Sequence, residues 1–127
     1  MRTFYQTKLE ILKDSILRSY DRKETNHTRC VDETVRGLGK TSFINELALI
    51  AKSEGKHVIV IGFSGAEYIC DVFASSTTVD FRHLRGYEYD TIVLVDEIHI
   101  DSIKDILDLG YKVYGFHQYY YGKRKVV

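Results

Sequence analysis

The chain has 127 residues, and its 18 lysines and arginines balance 18 aspartates and glutamates, so the formal net charge is zero. Hydrophobic residues make up 44% of the chain and charged residues 28%, which is typical of a globular domain and argues against a disordered segment or a coiled coil. The length fits a single domain. Zero net charge leaves nucleic-acid binding open, because such binding requires only a local basic patch.

The sequence carries no signal for an oxidising compartment or for a membrane. Its two cysteines, Cys30 and Cys70, form neither a disulfide framework nor a zinc-ligand pattern. Residues 1–13 lack the continuous apolar core of a signal peptide, and nowhere do about 18 apolar residues run together. We therefore expect a soluble cytoplasmic protein with no membrane partner.

The first half of the chain predicts two helices and two strands. An amphipathic helix is predicted over 7–22, where apolar residues recur at spacings of three and four: Leu9, Leu12, Ile16 and Tyr20. A short strand is predicted within 28–35, and a second helix over 40–54 that ends at Gly55. Residues 57–62 form a nearly continuous β-branched run, which is typical of a strand buried on both faces of a parallel sheet.

The second half continues the alternation of helices and strands. The predicted elements are a short helix over 66–74, a strand over 77–81, an apolar strand over 91–95, a helix over 100–109 that ends at Gly110, and a strand over 112–116. This alternation indicates right-handed βαβ crossovers and a three-layer α/β sandwich with a mostly parallel sheet. We treat 1–127 as one domain, with an N-terminal helix and linker over 1–26 and a tail over 119–127.

The most informative stretch is Arg36-Gly37-Leu38-Gly39-Lys40-Thr41-Ser42, which opens the second predicted helix directly after a candidate strand. It matches the second half of the phosphate-binding pattern GxxxxGK[ST]. Its glycines would let backbone N–H groups surround an anion, and the helix would direct its positive dipole end at the phosphates. Lys40 would reach the β- and γ-phosphates, and the Thr41 hydroxyl would bind Mg²⁺.

The loop departs from the pattern at its first position. Thr34 stands where the pattern has its first glycine, and a β-branched residue resists positive φ. We therefore expect the first turn of the loop to differ from a glycine-led turn, with Gly37 supplying the flexibility. The alternative is an ordinary helix start that contains glycine.

A second candidate motif lies 56 positions after Lys40, where the apolar residues 92–95 are followed by Asp96 and Glu97. Because the carboxyl ends of parallel strands meet at one edge of a sheet, Asp96 can approach the phosphate-binding loop. Asp96 would hold Mg²⁺ through its water shell, and Glu97 would polarise the attacking water. The alternative is that both carboxylates only end a strand in solvent.

On these residues the sequence resembles the P-loop NTPases, and within them the RecA-like group of helicases and viral DNA-packaging terminases. The resemblance covers about residues 28–118. Residues 36–41 are similar to the arginine-containing P-loop of terminase large subunits, many of which also lack the first glycine. Residues 84–90 resemble the lead-in to their Walker B strand, and residues 115–118 fall where that family places a polar sensor of the γ-phosphate.

The resemblance implies a Mg²⁺-dependent ATP-binding protein that hydrolyses the γ-phosphate. Nucleotide binding then belongs to Arg36, Gly37, Leu38, Gly39, Lys40, Thr41 and Ser42, metal binding to Thr41 and Asp96, and catalysis to Lys40, Glu97, Gln118 and Arg85. Arg85 would act as an arginine finger across an oligomer interface, or pair with a neighbouring carboxylate. Because helicases and terminases carry a further domain that this chain lacks, we expect a second copy or another protein to complete the site.

The size and the terminase-like and helicase-like features suggest a phage or mobile-element protein that acts on DNA, in the host cytoplasm if it is viral. The tail interleaves Tyr119, Tyr120 and Tyr121 with the basic residues 123–125. Aromatic stacking surfaces beside cations suit single-stranded nucleic acid. The alternative is that the tyrosines cover the core while the basic residues are solvated.

Two other functions stay open. Residues 95–97 and 113–116 also resemble the thymidine kinase core, although the zinc-binding cysteine pairs and the nucleoside-binding lasso of that family are missing. A nucleoside kinase would need an acceptor pocket within residues 63–81. The other possibility is a non-catalytic module, in which nucleotide stabilises a fold that binds a protein partner.

Overall fold

A computed structural model describes residues 4–22, 26–30, 39–63, 66–75 and 91–118 of the chain. These residues form three helices and five strands. The elements are, in chain order, α1 (Phe4–Asp21), β1 (Asn26–Cys30), α2 (Lys40–Ser53), β2 (His57–Gly62), β3 (Val72–Ser75), β4 (Thr91–His99), α3 (Ile100–Asp108) and β5 (Lys112–Gln118).

The five strands pair in the order β1-β5-β4-β2-β3, and every pair is parallel. All five carboxyl ends therefore lie at one edge of the sheet. Helix α2 connects β1 to β2, and the two later strands β5 and β4 lie between them. Parallel strands cannot be joined by a tight hairpin and need crossover connections, which are usually helical, as α2 and α3 are here.

The sheet is covered by helices on both faces, as the sequence predicts. Helices α1 and α2 pack on one face, where the sheet contributes Val58, Val60, Ile92, Leu94, Tyr114 and Phe116. Helix α3 packs on the other face, against Ile59, Ile61, Val93, Val95, Ile98 and Val113. The three-layer α/β arrangement is therefore confirmed. Strand β2 has successive residues in both cores, which explains its continuous β-branched sequence.

Helix α1 is fixed to the sheet by the apolar face that its periodicity predicts. Ile16 is fully buried and Tyr20 is 3% exposed. The Tyr20 ring meets Tyr114 edge to face with 5.3 Å between centroids, and on α2 the Phe43 ring meets Phe116 in the same way at 5.9 Å. Full burial of each such side chain contributes about 1.5–3 kcal/mol, so these rings anchor both helices to β5.

Most predicted boundaries agree with the structure to within a few residues. Strand β2 occupies the predicted range, and α2 ends just before Gly55, which has φ of 84°. Strand β1 begins two residues before the predicted range, and 31–35 lie outside the described residues. Strand β4 continues four residues past its predicted end. In the described part of the chain, no helix is long and apolar enough to cross a membrane.

The predicted helix over 66–74 is wrong. Residues 66–71 form no helix and lead into β3, the edge strand that pairs with β2. The cause lies at Asp71, whose backbone N–H donates to the Val58 carbonyl at 2.8 Å and whose Oδ2 accepts from the Val58 N–H at 2.8 Å. These bonds align the chain with β2, where Val72 and Phe73 suit a strand. The predicted strand over 77–81 lies outside the described residues.

Candidate functional site

The amino end of α2 lies at the carboxyl-end edge of the sheet and begins after a glycine in a left-handed conformation. Gly39 precedes the helix with φ of 108°, a conformation that residues with a Cβ rarely adopt. Its carbonyl accepts the first helical hydrogen bond, from the Phe43 N–H at 3.0 Å. Gly39 has no side chain to cap the helix. The N–H groups of the first turn have no acceptors within a helix and carry its positive dipole end.

The two sequence motifs meet at this point. The Thr41 hydroxyl donates to Oδ2 of Asp96 at 2.7 Å, across 55 positions of sequence. Asp96 is fully buried, and Lys40, the first residue of α2, is 7% exposed. A lysine and an aspartate are rarely buried without a charged partner or ligand. The structure thus brings together Thr41 and Asp96, two residues that the sequence assigns to metal binding, and Lys40 directly precedes Thr41 in the helix.

The carboxylate of Asp96 is satisfied on one side only. Oδ2 accepts two hydrogen bonds, whereas Oδ1 is buried and has no hydrogen-bond partner among the described residues. A buried carboxylate oxygen without a partner is costly unless a cation or a water reaches it. Mg²⁺ takes oxygen ligands and is typically held by one or two carboxylates together with substrate phosphates. Asp96 and the Thr41 hydroxyl therefore fit the ion that the sequence implies.

The second donor to Asp96 is Tyr68, which the sequence did not indicate. Its hydroxyl donates to Oδ2 of Asp96 at 2.8 Å and accepts from the Phe63 N–H at 3.1 Å. Burial, together with the adjacent carboxylate, raises the pKa of Tyr68 to about 12 although the Phe63 N–H lowers it. The hydroxyl therefore stays protonated at neutral pH and remains a donor. Tyr68 lies between β2 and β3, in the segment wrongly predicted as a helix.

Glu97 occupies an irregular position in β4. Asp96 pairs with Phe116 and Ile98 pairs with His117, so the register leaves Glu97 as an extra residue in a β-bulge. In a regular strand Ile98 would share a face with Asp96, but it packs with Val93 and Val95 in the core under α3. Bulges occur next to active sites, where they redirect side chains. The side chains of Glu97 and Gln118 lie outside the described part of the structure.

A second side-chain hydrogen bond joins β1 to β5, the neighbouring strand in the sheet. A hydrogen bond of 2.8 Å links Thr28 Oγ1 on β1 to His117 Nδ1 on β5. His117 is 8% exposed and directly precedes Gln118, the candidate sensor of the γ-phosphate. The pair fixes the strand before the loop against the strand that ends at Gln118. Sequence reasoning assigned neither residue a role: His117 appears only as the neighbour of the candidate sensor Gln118, and Thr28 only within a short predicted strand.

Of the remaining predicted site residues, Ser42 is described in the structure and the others are not. Ser42 lies exposed in the first turn of α2. Arg36, Gly37 and Leu38, together with Thr34, lie outside the described residues, as do Arg85 and the tail over 119–127. Within the described ranges there is no cluster of three or more His, Cys, Asp or Glu residues that could hold a metal ion.

The fold and the site define a parallel α/β protein with groups suited to an anion and a divalent cation at the carboxyl edge of its sheet. Comparisons with protein-family models, with curated proteins and with solved structures find no match to this chain. Site geometry and chemistry are therefore the basis for assigning a function.

Proposed function

We propose that the protein binds ATP with Mg²⁺ at the amino end of α2 and hydrolyses the γ-phosphate. The observation that carries this proposal is the contact between Thr41 and the buried Asp96, whose second oxygen has no partner among the described residues. A hydroxyl and a carboxylate placed together at a helix amino end, beside a buried lysine, suit a metal–phosphate ligand.

Each residue then has a role in binding or hydrolysis. The first turn of α2 and Lys40 bind the phosphates, and Thr41 and Asp96 hold Mg²⁺, which when bound neutralises the charge that develops on the phosphate oxygens. Glu97 orients a water and accepts its proton as the water oxygen bonds to the γ-phosphorus. The bond from that phosphorus to the bridging oxygen breaks, giving ADP and inorganic phosphate. Gln118 and Arg85 contact the γ-phosphate, Arg85 from a second copy or a partner protein.

The strand order brings the described parts of the proposed site to one edge of the sheet. Strand β5 lies between β1, which precedes the candidate loop, and β4, which ends in Asp96 and Glu97. In this order the amino end of α2, Asp96 and the end of β5 lie at one edge of the sheet.

The change Glu97→Gln tests hydrolysis apart from binding. It removes the proton acceptor but keeps the size of the side chain, so phosphate release should fall by about 10²-fold or more while ATP binding persists. Glu46→Gln is the control, because Glu46 is exposed on α2, and its activity should equal that of the wild type. Unchanged phosphate release in Glu97→Gln would contradict hydrolysis through Glu97. Binding without any release by the wild type would favour a non-catalytic module.

One observation favours a nucleoside kinase as a second candidate. Phe63 and Phe73 are large apolar residues with 40% and 42% of their surfaces exposed, and both contact Tyr68 beside Asp96. Exposed aromatic rings next to a phosphate site could receive the base of a nucleoside acceptor. With ATP labelled in its γ-phosphate and a mixture of nucleosides, a kinase yields a labelled nucleoside monophosphate, whereas an ATPase yields only labelled inorganic phosphate.

A further inference from the structure

We propose that Tyr68 is a positioning residue for Asp96, holding the carboxylate so that Oδ1 is the oxygen presented to a divalent cation. The inference deepens the proposed function and rests on it for the identity of the site as a Mg²⁺–nucleotide site. Tyr68 itself does not touch the cation, the nucleotide or the reacting water in this role. It acts only through Asp96.

The first observation is the unequal bonding of the two carboxylate oxygens. Oδ2 of Asp96 accepts from Thr41 at 2.7 Å and from Tyr68 at 2.8 Å, while Oδ1 accepts from no described residue. Hydrogen bonds to an ionised carboxylate are roughly twice as strong as neutral ones. Two such bonds from separate elements, α2 and the segment before β3, oppose rotation of the carboxylate and so fix which oxygen remains open.

The second observation is that α2 also holds the backbone on both sides of Tyr68. Asn45 donates from Nδ2 to the Glu67 carbonyl at 3.1 Å, and its Oδ1 accepts from the Ile69 N–H at 2.8 Å. Asn45 follows Thr41 by four residues, so the two side chains are neighbours on one side of the helix. The helix that carries Thr41 therefore also sets the position of the tyrosine that shares its acceptor.

The third observation is the close packing around the phenol ring. The ring stacks on Phe73 with 5.5 Å between centroids and 17° between planes. A Cβ at Gly62 would lie 2.6 Å from Cζ of Tyr68, so the end of β2 admits this ring only because residue 62 is a glycine. The Phe63 N–H occupies an acceptor site of the hydroxyl, which directs its proton toward Asp96.

Together these contacts explain why a second donor is useful. A cation can take a lone pair of the Thr41 hydroxyl while its proton stays on Oδ2 of Asp96. Tyr68 adds a second bond to the same oxygen from a group that is not itself a ligand. Groups that orient metal ligands in this way typically change metal affinity by 10–100-fold when they are removed. Removal of the Tyr68 hydroxyl should therefore weaken cation binding without removing a ligand.

The test measures binding of Mn²⁺ alone to the full chain by electron paramagnetic resonance, without nucleotide. Tyr68→Phe keeps the ring and its packing on Phe73, and its dissociation constant for Mn²⁺ should rise about tenfold. Asp96→Asn should lose the site. Tyr20→Phe is the matched control, because Tyr20 also donates to a carboxylate, Glu54, at 2.5 Å. That bond lies at the opposite end of α2, so Mn²⁺ binding should be unchanged.

The outcomes separate this inference from the proposed function. Equal Mn²⁺ affinity in Tyr68→Phe and the wild type would overturn the positioning role, as would a wild type that takes up no Mn²⁺. Mn²⁺ binding that depends on Tyr68 and Asp96, in a protein that binds no ATP, would support the positioning role and contradict the proposed function. If Tyr68→Phe does not fold, Asn45→Ala, which releases the backbone around Tyr68, should weaken Mn²⁺ binding in its place, and unchanged affinity there would overturn the role.

Discussion

In the proposed function, single residues determine whether the amino end of α2 can receive a phosphate. Gly39 has φ of 108°, and an added Cβ would meet no atom within 4 Å, so backbone conformation and not space requires glycine there. Thr41 and Tyr68 share one oxygen of Asp96 and leave the other open. At this scale the site consists of one left-handed backbone position that requires glycine, one buried lysine and one carboxylate with a single bonded oxygen.

Gly39→Ala should damage the phosphate site beyond its effect on stability. A left-handed conformation costs a residue with a Cβ about 1–2 kcal/mol, so the free energy of unfolding in urea should fall by roughly that amount. In the variant, the backbone at residue 39 can leave the left-handed conformation to relieve the strain that alanine introduces. The first N–H groups of α2 then turn away from the bound phosphates, and ATP should bind at least about tenfold more weakly.

The matched control for this change is Gly110→Ala. Gly110 has φ of 95° and equally open surroundings, but it follows α3. Its change should destabilise the protein to a similar degree and leave ATP affinity as in the wild type. Equal loss of affinity in the two variants would show that strain at Gly39 has no specific connection with the ligand.

At the scale of elements, the start of β2 is fastened by the segment that leads into β3. Asp71 Oδ1 accepts from Lys52 Nζ at 2.7 Å, and Oδ2 accepts from the Val58 N–H at 2.8 Å. The Lys52 bond and then the Val58 bond lower the pKa of Asp71 below its usual value of 3.8. The ionised carboxylate therefore connects α2, β2 and β3.

This arrangement predicts a pH dependence of stability. Because the pKa of Asp71 is lower in the folded protein, its contribution is present above about pH 4 and is lost as the pH falls through the folded value. Asp71→Asn should therefore be less stable than the wild type at pH 7, and the difference in unfolding free energy should shrink below pH 4. Urea unfolding from pH 7 down to pH 3 measures it.

Asp108→Asn provides the comparison for Asp71. Asp108 lies 3.5 Å from Lys104 in an exposed pair on α3, and such pairs contribute only about 0–1 kcal/mol. Its loss of stability at pH 7 should be smaller than that of Asp71→Asn. A difference between Asp71→Asn and the wild type that stays constant down to pH 3 would contradict the role given to the ionised Asp71.

The sequence correctly predicts the elements whose pattern of apolar residues matches their burial in the structure. The apolar runs of β2 and β4 and the periodic face of α1 are correctly predicted, because each reflects burial that the structure confirms. The segment 66–74 is wrongly predicted, since its strand depends on bonds between Asp71 and Val58, thirteen positions apart. The bulge at Glu97 and the contact of Tyr68 with Asp96 follow from register and tertiary packing, which no local pattern encodes.

At the scale of the whole molecule, parallel topology concentrates the candidate chemistry at one edge. Strand β5 is the last strand in the described sequence and follows α3, but in the sheet it lies between β1 and β4. The motif residues therefore converge although Thr41 and Asp96 are 55 positions apart. Their proximity in space was predictable from the α/β alternation, whereas the second donor to Asp96, Tyr68, was not.

The tail over 119–127 supports a separate prediction about DNA. Deletion of these residues should weaken binding of single-stranded DNA and flatten its dependence on salt, because the tail's lysines and arginine would no longer displace counterions. Fluorescence anisotropy with a labelled oligonucleotide at several salt concentrations measures both. A variant with residues 123–125 changed to serine and the tyrosines kept separates charge from stacking. Unchanged affinity after deletion would contradict DNA binding by the tail.

The central claim, a Mg²⁺–ATP site at the amino end of α2, is tested most directly by the stabilisation that ATP confers. At 100 times its dissociation constant, ATP with Mg²⁺ should raise the free energy of unfolding of the wild type by about 2.7 kcal/mol. Lys104→Ala, a change at an exposed lysine of α3, should show the same gain, and Lys40→Ala should lose it. No gain in the folded wild type, or an equal gain in Lys40→Ala, would contradict the claim.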